Sequence, residues 1–108
     1  MRFTRRCVAL AALSCLCAAA QAEIPGNAFK IGVLTDMTGT YASMGGAGSV
    51  VAAKMAVDDC LKAECKGMKI DVVSADHQNK ADVAAAKTRE WLDRDGVTAI
   101  ADITNSAA

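Results

Sequence analysis

A short apolar run leads directly into a glycine-rich stretch, and this pair of features constrains the fold more than any other part of the chain. The run covers residues 29–35 and has the composition of a central strand in a parallel sheet, covered on both faces. Residues 36–48, which follow it, contain four glycines among small polar residues. Glycines there allow a sharp turn and a close approach to a ligand, although a merely flexible connection has the same composition.

After this stretch, segments with the apolar spacing of a helix alternate with segments that have the apolar pattern of a strand. Two segments have apolar residues three and four apart, and two have nearly continuous apolar runs. The predicted helices cover about residues 45–63 and 80–94, and the predicted strands cover residues 29–35, 68–75 and 97–103. This order is a βαβαβ unit, so the chain is predicted to be an α/β protein, a portion of a doubly wound parallel sheet with helices over both faces.

The second predicted helix carries the clearest terminal signals. Asn79 is predicted to be its N-cap, with Asp82 as the acidic half of a capping box, and Gly96 is predicted to end it. Five residues fall on one face of this helix and are predicted to pack against the sheet. They are Ala84, Ala85, Thr88, Trp91 and Leu92.

Residues 1–22 have the pattern of a secretory signal peptide. Three arginines precede an apolar core, and Ala20-Gln21-Ala22 forms an A-x-A cleavage site. We therefore expect a periplasmic mature chain of residues 23–108, exported by either the Sec or the twin-arginine route. Three of the 12 basic residues lie in the signal, so 9 remain against 12 acidic ones, and no binding of nucleic acid is expected.

Two cysteines, Cys60 and Cys65, lie outside the predicted signal. In an oxidising compartment they could form a disulfide that closes a small loop. Two free, half-buried thiols fit the sequence as well, so both states stay open.

Ligands of doubly wound sheets bind outside the carboxyl ends of the strands, and three loops of this chain are predicted to lie there. They cover residues 36–46, 76–79 and 104–108. In the third loop, Ser106 can offer its hydroxyl beside free backbone N–H groups at the start of a further helix, as a carboxylate receptor would. Simple N-capping by Asn105 or Ser106 explains the same residues.

Few residues could carry catalysis or bind a metal. Asp36 and Asp76 lie at strand ends, where paired acids could hold magnesium or act as acid and base, but where acids also commonly cap turns. His77 is the single histidine and is expected in an exposed loop, and a zinc site would need further ligands. Because the chain has neither a G-x-S-x-G nor a Walker pattern, we predict no catalytic residue, metal or cofactor.

Four segments together resemble the N-terminal part of periplasmic solute-binding proteins of the branched-chain amino-acid type, which are leucine-binding-protein-like and serve ABC importers. The segments are KIGVLTDMTGTYA from Lys30, AVDD from Ala56, SADHQNK from Ser74 and GVTAIADITNSA from Gly96. The resemblance covers residues 29–108. It implies the type I periplasmic-binding-protein fold, of which residues 23–108 would form an incomplete lobe one.

The resemblance also implies a function. The full-length protein would be a non-enzymatic binding protein for an amino acid or a small carboxylate, aromatic acids included, and would dock on an inner-membrane ABC permease. Ser106 matches the position that takes the ligand carboxylate, and Met44, Thr104 and Asn105 match neighbouring wall positions. Because the closing lobe and the hinge would lie beyond residue 108, we expect at most weak binding by this chain alone. The alternatives are a ligand-binding sensory domain of a receptor and, third, a small exported α/β hydrolase.

Overall fold

A computed structural model describes residues 24–108, so the predicted signal peptide lies outside the described residues. A short 3-10 helix, Pro25–Asn27, precedes three strands and two helices. These are β1 (Ala28–Thr35), α1 (Gly46–Lys62), β2 (Lys69–Asp76), α2 (Ala81–Asp93) and β3 (Ala99–Ala101). The strands form one parallel sheet in the order β2-β1-β3, which confirms the predicted βαβαβ arrangement.

The central strand β1 presents alternate residues to the two helices. Phe29 and Ile31 line an apolar cavity of about 370 Å³ together with Val57 of α1. On the opposite face, Leu34 packs in a core cluster with Ala84 and Trp91 of α2. The helices therefore cover both faces of the sheet, as the continuous apolar composition of β1 predicts.

The core on the α2 side is built around Trp91, which is only 5% exposed. A Cβ atom on Gly32 would lie 2.5 Å from the Trp91 ring, so the missing side chain of this glycine makes room for the indole. Ala84 is buried as predicted, but Leu92 is 51% exposed, and its predicted place in the core was wrong. Successive helix residues are about 100° apart, so the residue after Trp91 turns away from the sheet.

The beginning of α2 differs from the prediction. Lys80 is the N-cap and makes no side-chain capping hydrogen bond, so the prediction of Asn79 as N-cap was wrong. Asn79 lies one residue earlier in the left-handed region, with φ of 58°, and its side chain points to another loop. Beyond the other end of α2, Gly96 has a φ of 66°, and the Val97 N–H donates to the Trp91 carbonyl.

The third strand is shorter than predicted. The Thr98 N–H donates to the Lys30 carbonyl, so pairing with β1 begins close to the predicted start. Asp102, however, has a φ of 61°, and this left-handed conformation ends the extended backbone after Ala101. The apolar character of Ile103 suggested a longer strand, but this residue is 45% exposed.

The structure settles the state of the two cysteines, since Cys60 and Cys65 form a disulfide. The bridge lies at the end of α1, where the Cys65 N–H also donates to the Cys60 carbonyl. Over residues 24–108, neither helix combines the length and the apolar character that crossing a bilayer requires.

Candidate functional site

The loops that follow the three strands lie at one edge of the sheet and contact one another. We call residues 36–45 the first loop, residues 77–80 the second loop and residues 102–108 the third loop. Parallel strands place their carboxyl ends together, so the close approach of these loops follows from the sheet topology.

Asp76, the last residue of β2, joins the first and second loops. Its carboxylate accepts hydrogen bonds from the Met37 N–H (2.9 Å), the Thr38 hydroxyl (2.6 Å) and the Gln78 N–H (2.7 Å). The Thr38 hydroxyl contributes most to holding the pKa of Asp76 below its usual value, although partial burial acts in the opposite direction. Asp76 therefore fixes two loops in its ionised form.

Asp36 shapes the first loop from inside. It is fully buried, and its two carboxylate oxygens accept hydrogen bonds from the Gly39 N–H (2.6 Å) and the Tyr41 N–H (2.9 Å). The oxygens of both strand-end acids are thus occupied by loop hydrogen bonds, which is the turn-capping alternative that the sequence left open. No group of three potential metal-ligating side chains forms anywhere in residues 24–108.

His77 is fully buried, so the expectation of an exposed loop histidine was wrong. The backbone N–H of His77 donates to the Thr35 carbonyl (2.9 Å). This bond extends the pairing of β2 with β1 by one residue and brings the imidazole ring into the interior. The ring Nδ1 accepts the Asn79 N–H at 3.0 Å, so the neutral imidazole carries its proton on Nε2. In the part of the chain that the structure describes, Nε2 has no hydrogen-bond partner.

The first and third loops meet at Gly45. A Cβ atom on this residue would lie 2.7 Å from Thr104 Cγ2, 2.8 Å from Asp102 Oδ2 and 2.8 Å from Thr35 Oγ1. The Thr35 hydroxyl also accepts the Gly46 N–H at 2.9 Å, which anchors the start of α1 to the end of β1. Only a residue without a side chain fits at position 45, and this requirement is what the glycine-rich stretch provides.

Two polar atoms of the third loop lie buried beside this contact. Asp102 Oδ2 and Thr104 Oγ1 have no hydrogen-bond partner among residues 24–108. Buried polar atoms in folded proteins are almost always paired, so these two atoms are exceptions at this edge of the sheet.

The structure places the four predicted binding residues at the same edge of the sheet. Met44 is 79% exposed, and the turn of the first loop holds its backbone, whose N–H donates to the Tyr41 carbonyl. Thr104 lies against Gly45, the residue that follows Met44 in the chain. The arrangement is compatible with the predicted site, and the role of these residues in binding stays a prediction.

Asn105 and Ser106 differ in how their polar groups are used. Asn105 Oδ1 accepts the Ala107 N–H at 2.8 Å, and its Nδ2 donates to Asn79 Oδ1, so its side chain organises the loop. Ser106 is exposed, and neither its hydroxyl nor its N–H is hydrogen-bonded within residues 24–108. Residues 106 and 107 form a turn, closed by the hydrogen bond from the Ala108 N–H to the Asn105 carbonyl (3.0 Å).

The sequence interpretation missed two residues that assemble this edge. Asn79 was assigned to a helix cap, yet it joins the second and third loops. Asp102 was assigned to a strand, yet it turns the third loop toward Gly45. Neither role has a local sequence signal, because each depends on a partner far away in the chain.

Comparison with known proteins places this geometry in a family. The model of the periplasmic binding protein family matches residues 28–108. A periplasmic binding protein from Burkholderia mallei is 51% identical, with a TM-score of 0.67 over 75% of this chain and 21% of that protein. A branched-chain amino acid ABC transporter periplasmic ligand-binding protein from Burkholderia xenovorans is 49% identical, with a TM-score of 0.66 over 72% of this chain and 21% of that protein.

A third solved structure is more distant. It is a solute-binding protein of an ABC transporter from Rhodopseudomonas palustris in complex with 3,4-dihydroxybenzoic acid, 27% identical, with a TM-score of 0.50 over 68% of this chain and 20% of that protein. No curated protein matches the chain. The chain spans about a fifth of the length of the solved proteins it matches. With its parallel α/β sheet forming part of the type I fold, the chain belongs to the periplasmic binding protein family, as its sequence segments predicted.

Proposed function

We propose that the full-length protein is the periplasmic solute-binding component of an ABC importer and captures a small carboxylate, either an amino acid or an aromatic acid. The observation that supports this most directly is the meeting of three strand-end loops at the edge that carries Ser106, whose hydroxyl and N–H have no hydrogen-bond partner within residues 24–108. A hydroxyl beside a backbone N–H at the start of a turn suits a carboxylate, which accepts several hydrogen bonds. The protein would bind its ligand without catalysing a reaction.

The other loop residues would complete one wall of the pocket. The Thr104 hydroxyl is buried without a partner in the described chain and would turn toward a polar atom of the ligand. Met44 is a large apolar side chain, exposed at the same edge, and would contact the apolar part of the ligand. A few oriented polar groups with an apolar wall are the usual composition of a small-molecule site.

Two of the related structures support a carboxylate as the ligand. One is named for branched-chain amino acids and another contains 3,4-dihydroxybenzoic acid, and both kinds of molecule carry a carboxylate. The group they share is the one that Ser106 would take, while their side chains differ. We therefore propose the carboxylate as the recognised group and leave the rest of the ligand to experiment.

Capture would need more than the residues described here. A second lobe would close over the ligand by a hinge motion, and the closed form would dock on an inner-membrane permease. In this scheme residues 24–108 provide one wall of the cleft, so they alone would bind weakly.

A thermal-shift screen of the full-length gene product tests the proposal. The panel consists of L-leucine, L-valine, benzoate and 3,4-dihydroxybenzoate, because a ligand of the native state raises the melting temperature. Ser106→Ala should reduce the shift, while Ser74→Ala, which removes an exposed hydroxyl from β2, should keep it. Absence of a shift with every carboxylate would contradict the proposal. Turnover of generic esters would then favour the hydrolase, and a transmembrane helix in the full-length sequence would favour the receptor.

A further inference from the structure

Asn79 connects the second loop to the loop that carries Ser106. The side-chain amide of Asn105 donates to the side-chain carbonyl of Asn79, 26 residues earlier in the chain. The same Asn105 side chain uses its own carbonyl to accept the Ala107 N–H at 2.8 Å. One asparagine therefore links the second loop to the backbone on both sides of Ser106.

The orientation of both amide groups follows from these contacts. The Ala107 N–H is a donor, so the Asn105 atom that faces it must be the carbonyl oxygen. The amide nitrogen of Asn105 then faces Asn79 and requires an acceptor there, which only the Asn79 carbonyl oxygen supplies. Each group has one compatible orientation, and the link transmits the position of Asn79 to the third loop.

The position of Asn79 is itself set by buried groups. The turn from His77 to Lys80 is closed by the Lys80 N–H donating to the His77 carbonyl at 2.9 Å, and both central residues have positive φ, 54° at Gln78 and 58° at Asn79. Asparagine adopts this conformation more readily than most residues. The Nδ1 of the fully buried His77 accepts the Asn79 N–H, which ties the backbone of Asn79 to a buried side chain.

We infer that Asn79 is a positioning residue, which holds the third loop in the geometry that lets Ser106 bind a ligand carboxylate. It does so through Asn105 and without touching the ligand. The effect on the loop stands on the hydrogen bonds alone, whereas the effect on affinity rests on the proposed function. Loss of one neutral hydrogen bond of this kind should weaken carboxylate binding by about 3- to 10-fold.

The experiment compares two glycine substitutions in the same turn of the full-length protein. Asn79→Gly removes the link, and Gln78→Gly is the matched control, because both residues have positive φ and glycine accepts that conformation without strain. The first measurement is the hydrogen-exchange rate of the Ala107 amide by NMR. The second is the dissociation constant for L-leucine and for 3,4-dihydroxybenzoate by calorimetry.

We expect the Ala107 amide to exchange at least about 3-fold faster in Asn79→Gly than in Gln78→Gly, since the Asn105 side chain that accepts this amide loses its own hydrogen bond to Asn79. A third variant, Asn79→Asp, keeps an acceptor facing Asn105 and should restore slow exchange. For whichever of the two probes binds the wild-type protein, the affinity should fall in Asn79→Gly and stay within about 2-fold of the wild-type value in Gln78→Gly.

Equal exchange rates in the two glycine variants would overturn the inference, as would a change in exchange with no change in affinity. If the wild-type protein binds neither probe, the proposed capture of these carboxylates fails. The exchange rates then still decide whether Asn79 holds the third loop.

Discussion

Gly45 and Thr104 lie so close together that a Cβ atom on the glycine would be 2.7 Å from Thr104 Cγ2. The two residues belong to loops almost 60 positions apart in the chain, one leading into α1 and the other following β3. Their contact holds the first loop, which carries Met44, against the loop that carries Ser106. The proposed binding wall therefore depends on a position at which no side chain fits.

Substitution of this glycine should separate the two loops. Gly45→Ala should lower the free energy of unfolding by about 1–3 kcal/mol, because the added methyl group meets three neighbouring atoms at under 3 Å. Gly48→Ala is the matched control in the first turn of α1, where an added Cβ meets nothing within 4 Å, and should not lower the free energy of unfolding. Urea unfolding measures both, and equal stability of the two variants would contradict the described packing.

Trp91 and Leu92 test the description of the core. Trp91→Ala should lower the free energy of unfolding by about 3–5 kcal/mol, because a buried indole leaves a cavity against Gly32 and Leu34. Leu92→Ala should change it by less than about 0.5 kcal/mol, since this side chain is half exposed. The reverse order in a denaturation experiment would mean that α2 packs on a different face.

Asp76 should make stability depend on pH in the acidic range. Its pKa is lowered from 3.8 in the folded protein, so its contribution is fully present above that value and is lost as the pH falls through the lower, folded value. Thr38→Val removes the largest cause of the shift and should reduce the loss of stability as the pH falls below 3.8. Melting temperatures across this range would measure the difference, and identical profiles would show that the Thr38 hydroxyl does not act on Asp76.

The Cys60–Cys65 disulfide should contribute modestly to stability. The two residues are separated by five positions, and closing so short a loop restricts the unfolded chain by about 2 kcal/mol in the chain-entropy model. Unfolding in urea with and without a reducing agent measures this contribution, and the double variant Cys60→Ser/Cys65→Ser should behave like the reduced protein. A loss of all cooperative unfolding on reduction would contradict the small role assigned to the bridge.

Much of the fold could be predicted because the information is local. The apolar composition of β1 and the helical spacing around Ala84 and Trp91 identify a buried parallel strand and the helix that covers it. Leu92 was misplaced because it lies at the margin of the apolar face, where the sequence does not say how far the sheet extends. Asp102 ended β3 early because its backbone is left-handed, and a single aspartate within an apolar run does not mark that conformation in the sequence.

The candidate site was predictable in location and less so in detail. The rule that ligands bind beyond the carboxyl ends of parallel strands placed Thr104 and Ser106 after β3, at the edge where the three loops come together in the structure, and their role in binding stays a prediction. The roles of His77 and Asn79 could not be read from the sequence, because burial of the ring depends on its backbone pairing with Thr35. The link from Asn79 to Asn105 likewise joins residues that only the folded sheet brings together.

The central claim, that Ser106 takes the carboxylate of a small ligand, is tested most directly by comparing acid and amide forms of one ligand. Calorimetry on the full-length protein would compare the dissociation constants of L-leucine and L-leucinamide, and those of 3,4-dihydroxybenzoate and 3,4-dihydroxybenzamide. For whichever acid binds, the account predicts at least about 10-fold weaker binding of the amide, because hydrogen bonds to a charged group are lost, and little preference between the two in Ser106→Ala. Equal affinity of the wild-type protein for acid and amide would contradict carboxylate capture at this site.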